Sequence, residues 1–372
     1  MNSSTSSSDP HRRFVVWLLT VVLLPMGGLF AAGVYLQPLD GDLTRLGFFA
    51  ERDFGWNAPQ IEFPDTRLDL PSGLMDPGHF GRYHDVLVLG DSFAWGSPKL
   101  QWQNYLIAAT NWSVATQNIN SVRLRDVLGS TVFRDHPPRI LIVESVEREL
   151  IHHLEENDLM CGGAVLAPLT RRGIDADVTV ARPLDWEGVL SGRIARVERQ
   201  IRWRDIKPSY VRNYVADTLV GNLFGSRRSD TVPVRLASPA PLSSANKDAL
   251  LVYKDDFNKM EGWREAWPKV DCWIDEIRRQ VEANGYTRLV LMVAPDKLTA
   301  YAEFLDDPEM KNASLLARLS DRHPDVIPRL DLNLIAAIRR GEQDVYLPNN
   351  THWGSNGHRV AAETLLGFFD VH

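Results

Sequence analysis

The sequence predicts an α/β fold built on a parallel sheet wound on both faces, behind one membrane-spanning segment. Three observations carry this expectation: an uncharged apolar run near the N-terminus, short continuous apolar runs spaced along the chain, and amphipathic stretches between them. Apolar runs without polar alternation are what strands buried on both faces look like in parallel sheets. Their alternation with helical patterns is the signature of a doubly wound sheet.

Residues 1 to 13 are polar and end in His11-Arg12-Arg13, and Phe14 to Leu36 carries no charge. Twenty or so apolar residues cross a bilayer, whereas signal-peptide cores run to about 15. The run therefore reads as an uncleaved anchor. The alternative is a cleaved signal peptide processed near Ala31-Ala32-Gly33. Arg12 and Arg13 precede the run and Asp40 and Asp42 follow it. The positive-inside rule then keeps the N-terminus in the cytoplasm and exports everything after residue 40.

Residues 37 to 84 are rich in turn formers and read as a lead-in that wraps the domain, with an aromatic patch at Phe54-Gly55-Trp56. The domain proper is expected from 85 to 372. Asp85 to Leu89 forms the first buried strand and runs into Gly90-Asp91-Ser92-Phe93. Gly90 permits a sharp turn at the strand's carboxyl end, where open α/β sheets bind ligands. Ser92 thus falls at a strand-to-helix junction, a usual place for a serine nucleophile; Asp and Ser also cap helices well.

Helical character is expected over Leu100 to Thr110 and Ser121 to Phe133, and strands over Trp112 to Thr116 and Arg139 to Val146. Residues 152 to 245 break the rhythm and read as an insertion. Within it a helix is predicted over Ser191 to Ile206, with Arg193, Arg196, Arg199 and Arg202 on one face. Such a face is either solvated or a surface for an anionic glycan or partner. The rhythm returns with a helix over Trp267 to Asn284, started by Pro268 and stopped by Gly285. A strand follows over Arg288 to Ala294, then a short strand over Asp325 to Leu330 and helices over Leu332 to Arg340 and Gly357 to Phe369.

Among ten histidines, His352 stands out in the loop Tyr346 to Gly354 just before the last helix. A loop held by the scaffold can project a general base. The residue placed to accept the other imidazole N–H is Asn350, with Asn349 beside it and Asp344 as a carboxylate within reach in sequence. A carboxamide accepts that hydrogen bond but supplies no charge to the imidazolium. Cys161 and Cys272 are too few for a metal site, and no cofactor is expected. A net charge of -7 argues against general nucleic-acid binding.

Gly90-Asp91-Ser92-Phe93 with Thr351-His352-Trp353 resembles an SGNH hydrolase, which implies an SGNH-type three-layer α/β sandwich. Glu147-Arg148 after one strand and Pro295-Asp296-Lys297 with Tyr301 after another sharpen this to the alginate and exopolysaccharide O-acetyltransferases of the periplasm. The resemblance covers residues 80 to 150 and 260 to 370. It implies Ser92 as nucleophile, His352 as base and Asn350 in the place of the family's Asp-x-His aspartate. It also implies oxyanion donors from the Ser92 backbone N–H and Asn118 or Asn120, and substrate contacts from Arg148, Lys297, Tyr301 and Trp353. Arg148 is equally explained by an ion pair with Asp296, and Trp353 by packing of its own loop. Ser92 precedes His352, unlike the alginate enzymes. The function implied is transfer of acetyl groups to a polysaccharide on the periplasmic face of the inner membrane, the acetyl delivered by a membrane acyltransferase. A carbohydrate acetylesterase and a non-catalytic glycan-binding or scaffold protein are the alternatives.

Overall fold

Five parallel strands occupy the centre of the chain, and the one that ends at Gly90 lies in the middle of them. The computed structural model describes residues 10–37, 39–64, 68–69, 83–156, 161, 185–202, 204, 207–224, 229–307 and 314–371. Strands are named in chain order: β1 Gln60–Glu62, β2 Leu68–Asp69, β3 Val86–Gly90, β4 Val114–Asn118, β5 Ile140–Val146, β6 Ala195–Val197, β7 Thr231–Arg235, β8 Ala249–Tyr253 and β9 Arg288–Ala294. The large sheet has the order β2-β4-β3-β5-β9, every pairing parallel. The chain leaves β3 towards β4 and then returns to the other side as β5. The β3/β5 boundary is therefore the point where strand order reverses, and open α/β sheets place their ligands at the carboxyl ends beside such a point. Ser92 follows β3 at that end.

The helices are α1 Pro10–Leu36, α2 Asp42–Gly47, α3 Glu51–Phe54, α4 Trp102–Thr110, α5 Leu124–Gly129, α6 Thr131–Asp135, α7 Leu150–Glu156, α8 Trp186–Leu190, α9 Pro208–Phe224, α10 Asp255–Glu282, α11 Lys297–Ala300, α12 Leu316–Arg322, α13 Leu330–Arg339 and α14 Ser355–Val371. Alternate residues of β3 serve two cores because successive side chains point to opposite faces. Val86 and Val88 pack with Trp102 and Leu106 of α4, Leu334 of α13, Val360 and Leu365 of α14, and the β7–β8 hairpin. Leu87 and Leu89 pack with Leu124 and Val127 of α5 and with Trp263, Val270, Ile274 and Val281 of α10.

Three expected elements come out differently. The arginine-rich helix over 191–206 does not form: Gly192 takes φ +71°, and β6 pairs antiparallel with β1, Ile61 opposite Arg196. The ladder satisfies those backbone groups and the three-residue spacing loses its shared face. Arg193 donates to the Ala108 carbonyl, while Arg199 donates to the Trp56 carbonyl and to Gln37 Oε1. Helix α10 begins at Asp255 rather than Trp267, with Pro268 in its interior. Trp263 and Ala266 extend the buried stripe upstream, so packing outweighs the one backbone hydrogen bond the proline removes. Residues 325–330 form no strand; a single bond from Leu291 N–H to the Val326 carbonyl (2.9 Å) borders β9 there.

Helix α1 spans 27 residues, is exposed along most of its length and is long and apolar enough to cross a membrane. Its last turn is covered: Leu36 joins Ala50, Tyr210 and Val211 in a small core. The segment that follows, residues 39 to 54, forms a strap across the histidine loop. Tyr210 Oη anchors it by donating to the carbonyls of Thr44 (3.0 Å) and Phe49 (3.2 Å). The rest of the lead-in lies partly outside the described residues, as does residues 162–184 of the expected insertion. Cys161 and Cys272 form a disulfide.

Candidate active site

The turn after β3 is wired before any ligand enters. Asp91 Oδ1 accepts from Phe93 N–H (2.9 Å) and Oδ2 from Val146 N–H (2.6 Å), tying the serine turn to the end of β5. The Asp91 carbonyl accepts from the N–H groups of Ala94 and Trp95. Asp91 N–H donates to Glu144 Oε2 (3.0 Å), and Glu144 is fully buried. Burial, with Asp91 alongside, raises the Glu144 carboxyl well above its usual range. Only glycine fits at position 90, since a Cβ there would come within 2.7 Å of both Ala94 Cβ and Glu144 Oε2. These bonds leave Ser92 at the crest of the turn, its side chain exposed and its N–H outside the turn's bonding pattern.

Asn118 ends β4 opposite Gly90 in register, next to the serine turn. Its Oδ1 accepts from Asn120 N–H (2.9 Å), which leaves the NH2 end of the amide as the donor. Asn120 is turned towards another pair: its Oδ1 lies 3.2 Å from His153 Nε2, whose Nδ1 lies 2.7 Å from Ser145 Oγ. Both asparagines use their side-chain oxygen in these contacts, and Asn118 is the one that stands in register with Gly90.

The histidine loop is locked from below and above. Tyr346 and Trp353 form a bridge that closes it, and the Leu347 N–H donates to the His352 carbonyl (3.0 Å). Lys297, fully enclosed, donates from Nζ to the carbonyls of Leu347 (2.8 Å), Pro348 (2.9 Å) and Asn350 (3.1 Å). Burial pulls this ammonium down to about 7 against the nearby Asp42, Asp256 and Asp344. Tyr301 is likewise enclosed, its Oη facing Tyr346 N–H at 3.4 Å. Trp353 is buried with its ring 4.8 Å from Phe93. Arg148 is held by Asp296 (2.8 Å) and Asp256 (3.3 Å). Asp296 in turn joins Lys259 and Glu147 in a buried ionic cluster. Of the four residues named for substrate contact, Lys297, Tyr301 and Arg148 are each engaged with the scaffold, and Trp353 packs on Phe93 and lines a pocket with Asn349, Asn350 and Gly354.

His352 comes to the serine turn through Phe93: the two rings lie 4.9 Å apart. Asn350 Oδ1 accepts from the His352 backbone N–H (3.0 Å), which fixes the orientation of its amide. The same oxygen lies 2.6 Å from Nδ1, so Nδ1 must carry the proton and donate it. Nε2 then holds the lone pair. It is enclosed and has no hydrogen-bond partner among the described residues, Ser92 Oγ included. Burial holds the imidazole below its ordinary pKa, while Asp42 and Asp91 raise it and Arg148 lowers it further. At neutral pH the ring is therefore the neutral tautomer a general base requires.

Asp344 does not reach this histidine; it accepts from Ser243 N–H (2.7 Å) and from Ser243 Oγ. The carboxylate that does reach it is Asp42, from the strap after α1. Asp42 Oδ1 accepts from Thr351 N–H (2.8 Å) and Oδ2 from Thr351 Oγ1 (2.5 Å), with Oδ2 3.5 Å from His352 Nδ1. In the sequence Asp42 had only its sign to offer, as a charge beyond the apolar run. Among the described residues no group of three or more His, Cys, Asp or Glu side chains is placed to hold a metal ion.

Neither the curated proteins nor the solved structures yield a match to the chain. Residues 247–368, which carry α10, β9, the histidine loop and most of α14, match the family model of the SGNH hydrolase-like domain of acetyltransferase AlgX.

Proposed function

We propose that the chain is a membrane-anchored O-acetyltransferase that acts on an exopolysaccharide at the periplasmic face through a Ser92 acyl-enzyme. On this reading the fold is an SGNH-type doubly wound sheet with residues 152 to 245 inserted. The observation that carries the proposal is the state of His352. Its Nδ1 proton is fixed by Asn350, and its Nε2 lone pair is unpartnered on a loop docked against the neighbour of Ser92.

In the first half-reaction Ser92 Oγ attacks the acetyl carbonyl while His352 Nε2 takes the hydroxyl proton. The oxyanion is held by the Ser92 N–H and the Asn118 NH2, and the proton passes from Nε2 to the leaving group. In the second half a sugar hydroxyl gives its proton to Nε2 and attacks the acetyl-serine, the Ser92 Oγ–acetyl bond breaks, and Nε2 returns the proton to Ser92 Oγ, leaving the acetyl on the sugar. Lys297, Tyr301, Trp353 and Arg148 serve by holding the loop and strand ends in place. The acetyl donor would be supplied by a membrane acyltransferase. The exposed apolar helix, the arginines in its first turn and the Cys161–Cys272 disulfide all suit an anchored domain in an oxidising compartment.

The acetylesterase alternative differs only in letting water take the place of the sugar hydroxyl. Full-length protein in detergent, given a chromogenic acetyl ester with and without oligosaccharide acceptors, separates the two. Acetylated oligosaccharide formed at the expense of free acetate supports transfer, and acetate release indifferent to acceptor supports hydrolysis. Loss of both in Ser92→Ala and His352→Gln ties either activity to this site; retention of turnover in these variants overturns the mechanism.

A further inference from the structure

The position that normally supplies a carboxylate to an active histidine is here a carboxamide, yet a carboxylate is present. Asp42 Oδ2 lies 3.5 Å from His352 Nδ1, and Thr351 bridges the two. Thr351 Oγ1 gives its proton to Asp42, so its lone pair faces Nδ1 at 3.1 Å. The Nδ1–H is thus surrounded by a carbonyl, a hydroxyl and a carboxylate. Asp42 is itself only partly exposed, which preserves the charge–charge interaction.

The strap that delivers Asp42 is pressed on the loop along its length. Asn349 Nδ2 donates to Asp40 Oδ1 (2.5 Å) and to Glu51 Oε2 (2.8 Å), and Leu43 N–H donates to the Asn349 carbonyl (3.1 Å). Gly41 N–H donates to Glu51 Oε1 (3.0 Å). At position 41 a Cβ would collide with the Asn349 carbonyl and lie 2.7 Å from its Cβ. Such contact leaves no room for the strap to slide.

We propose that Asp42 is the positioning carboxylate of the His352 relay, so that the segment leaving the membrane helix completes the site. Asp42 touches neither acetyl group nor acceptor; it acts through His352 by stabilising the imidazolium that forms when Nε2 takes a proton. Besides Asp42, the charged groups that face His352 are Asp91 from the serine turn and Arg148 after β5, and neither changes in the test below.

The proposal rests on the His352 base reading, and its test has an arm independent of turnover. In full-length protein, carbethoxylation of His352 by diethyl pyrocarbonate is followed by peptide mass spectrometry across pH, which reports the imidazole's midpoint. Asp42→Asn is expected to lower that midpoint by about one pH unit, as loss of a near opposite charge does. It should also lower kcat on an acetyl ester by about 10- to 1000-fold with little change in KM. Adding Asn350→Asp to Asp42→Asn returns a carboxylate to Nδ1 and should restore both. An unmoved midpoint in Asp42→Asn, or a kcat loss that Asn350→Asp does not rescue, overturns the proposal and leaves Asp42 a strut. Asn350→Asp alone guards against misfolding of the first variant: if it leaves the midpoint unmoved, the idea that a carboxylate tunes this ring fails. Should wild type show no turnover while the midpoint moves as expected, the pairing stands and the acetyl-transfer reading falls.

Discussion

Replacing Asn350 by aspartate exchanges a carbonyl dipole for a full charge with almost no change of shape. His352 Nδ1 lies 2.6 Å from the oxygen concerned. At an effective dielectric near 20, unit charges about 4 Å apart interact by about 4 kcal/mol, and partial solvation lowers this. The His352 side chain keeps 30% exposure, and Asp42 already stands 3.5 Å away. The gain should therefore approach that of converting a neutral hydrogen bond to a charged one, about 1 to 3 kcal/mol. That corresponds to about 5- to 150-fold in kcat, well short of the roughly 10⁴ that separates carboxylate from carboxamide in a serine-protease triad. The carboxylate also favours imidazolium, so the acid limb of kcat/KM should move up by about one to two pH units. The assay is turnover of a chromogenic acetyl ester by full-length Asn350→Asp across pH 5 to 8. An unchanged or lowered kcat with the acid limb in place would refute the reasoning, because Nδ1 would then not sense charge during the reaction.

Other consequences follow from the strap and the buried groups. Gly41→Ala forces the strap off Asn349, so kcat should fall at least about 10-fold while the secondary structure seen by circular dichroism is unchanged. Burial, with Asp40 alongside, raises the Glu51 carboxyl to about 7. The native state then retains a proton that the unfolded chain releases near 4.5. Its stabilising contribution is complete below about pH 4.5 and is lost as pH rises to about 7, on the order of 3 kcal/mol. The Tm of wild type should accordingly fall relative to Glu51→Gln over that window; a constant difference would contradict the assignment. Lys297→Met strips the donors from three loop carbonyls and should lower stability by about 2 to 3 kcal/mol and kcat with it, read by thermal melts and ester turnover.

How much of this was written in the sequence differs by region. The strands β3, β5 and β9 were legible because burial on both faces leaves an unbroken apolar run. Gly90-Asp91-Ser92 was legible as a turn because the close approach at Gly90 needs glycine, and His352 stood out only by its loop before the last helix. The arginine spacing in 191–206 misled, since periodicity records no strand partner, and β1 lies more than a hundred residues earlier. Pro268 misled in the same way: a local helix breaker says nothing of the Trp263 packing that overrides it. Asp42 was illegible as a partner of His352 because the contact joins the two ends of the chain. Lys297 and Arg148 stood out as strand-end residues expected to touch substrate, and the scaffold partners that hold them belong to the tertiary structure.

The most direct test of the central claim is the covalent intermediate. Full-length protein is incubated with an activated acetyl ester, quenched in acid and mapped by peptide mass spectrometry, beside Ser92→Ala. An acetyl group on the peptide containing Ser92, absent from the variant and lost when an acceptor is added, is the predicted result. Ester turnover that persists in Ser92→Ala, with no acetyl on Ser92 in wild type, would contradict the account.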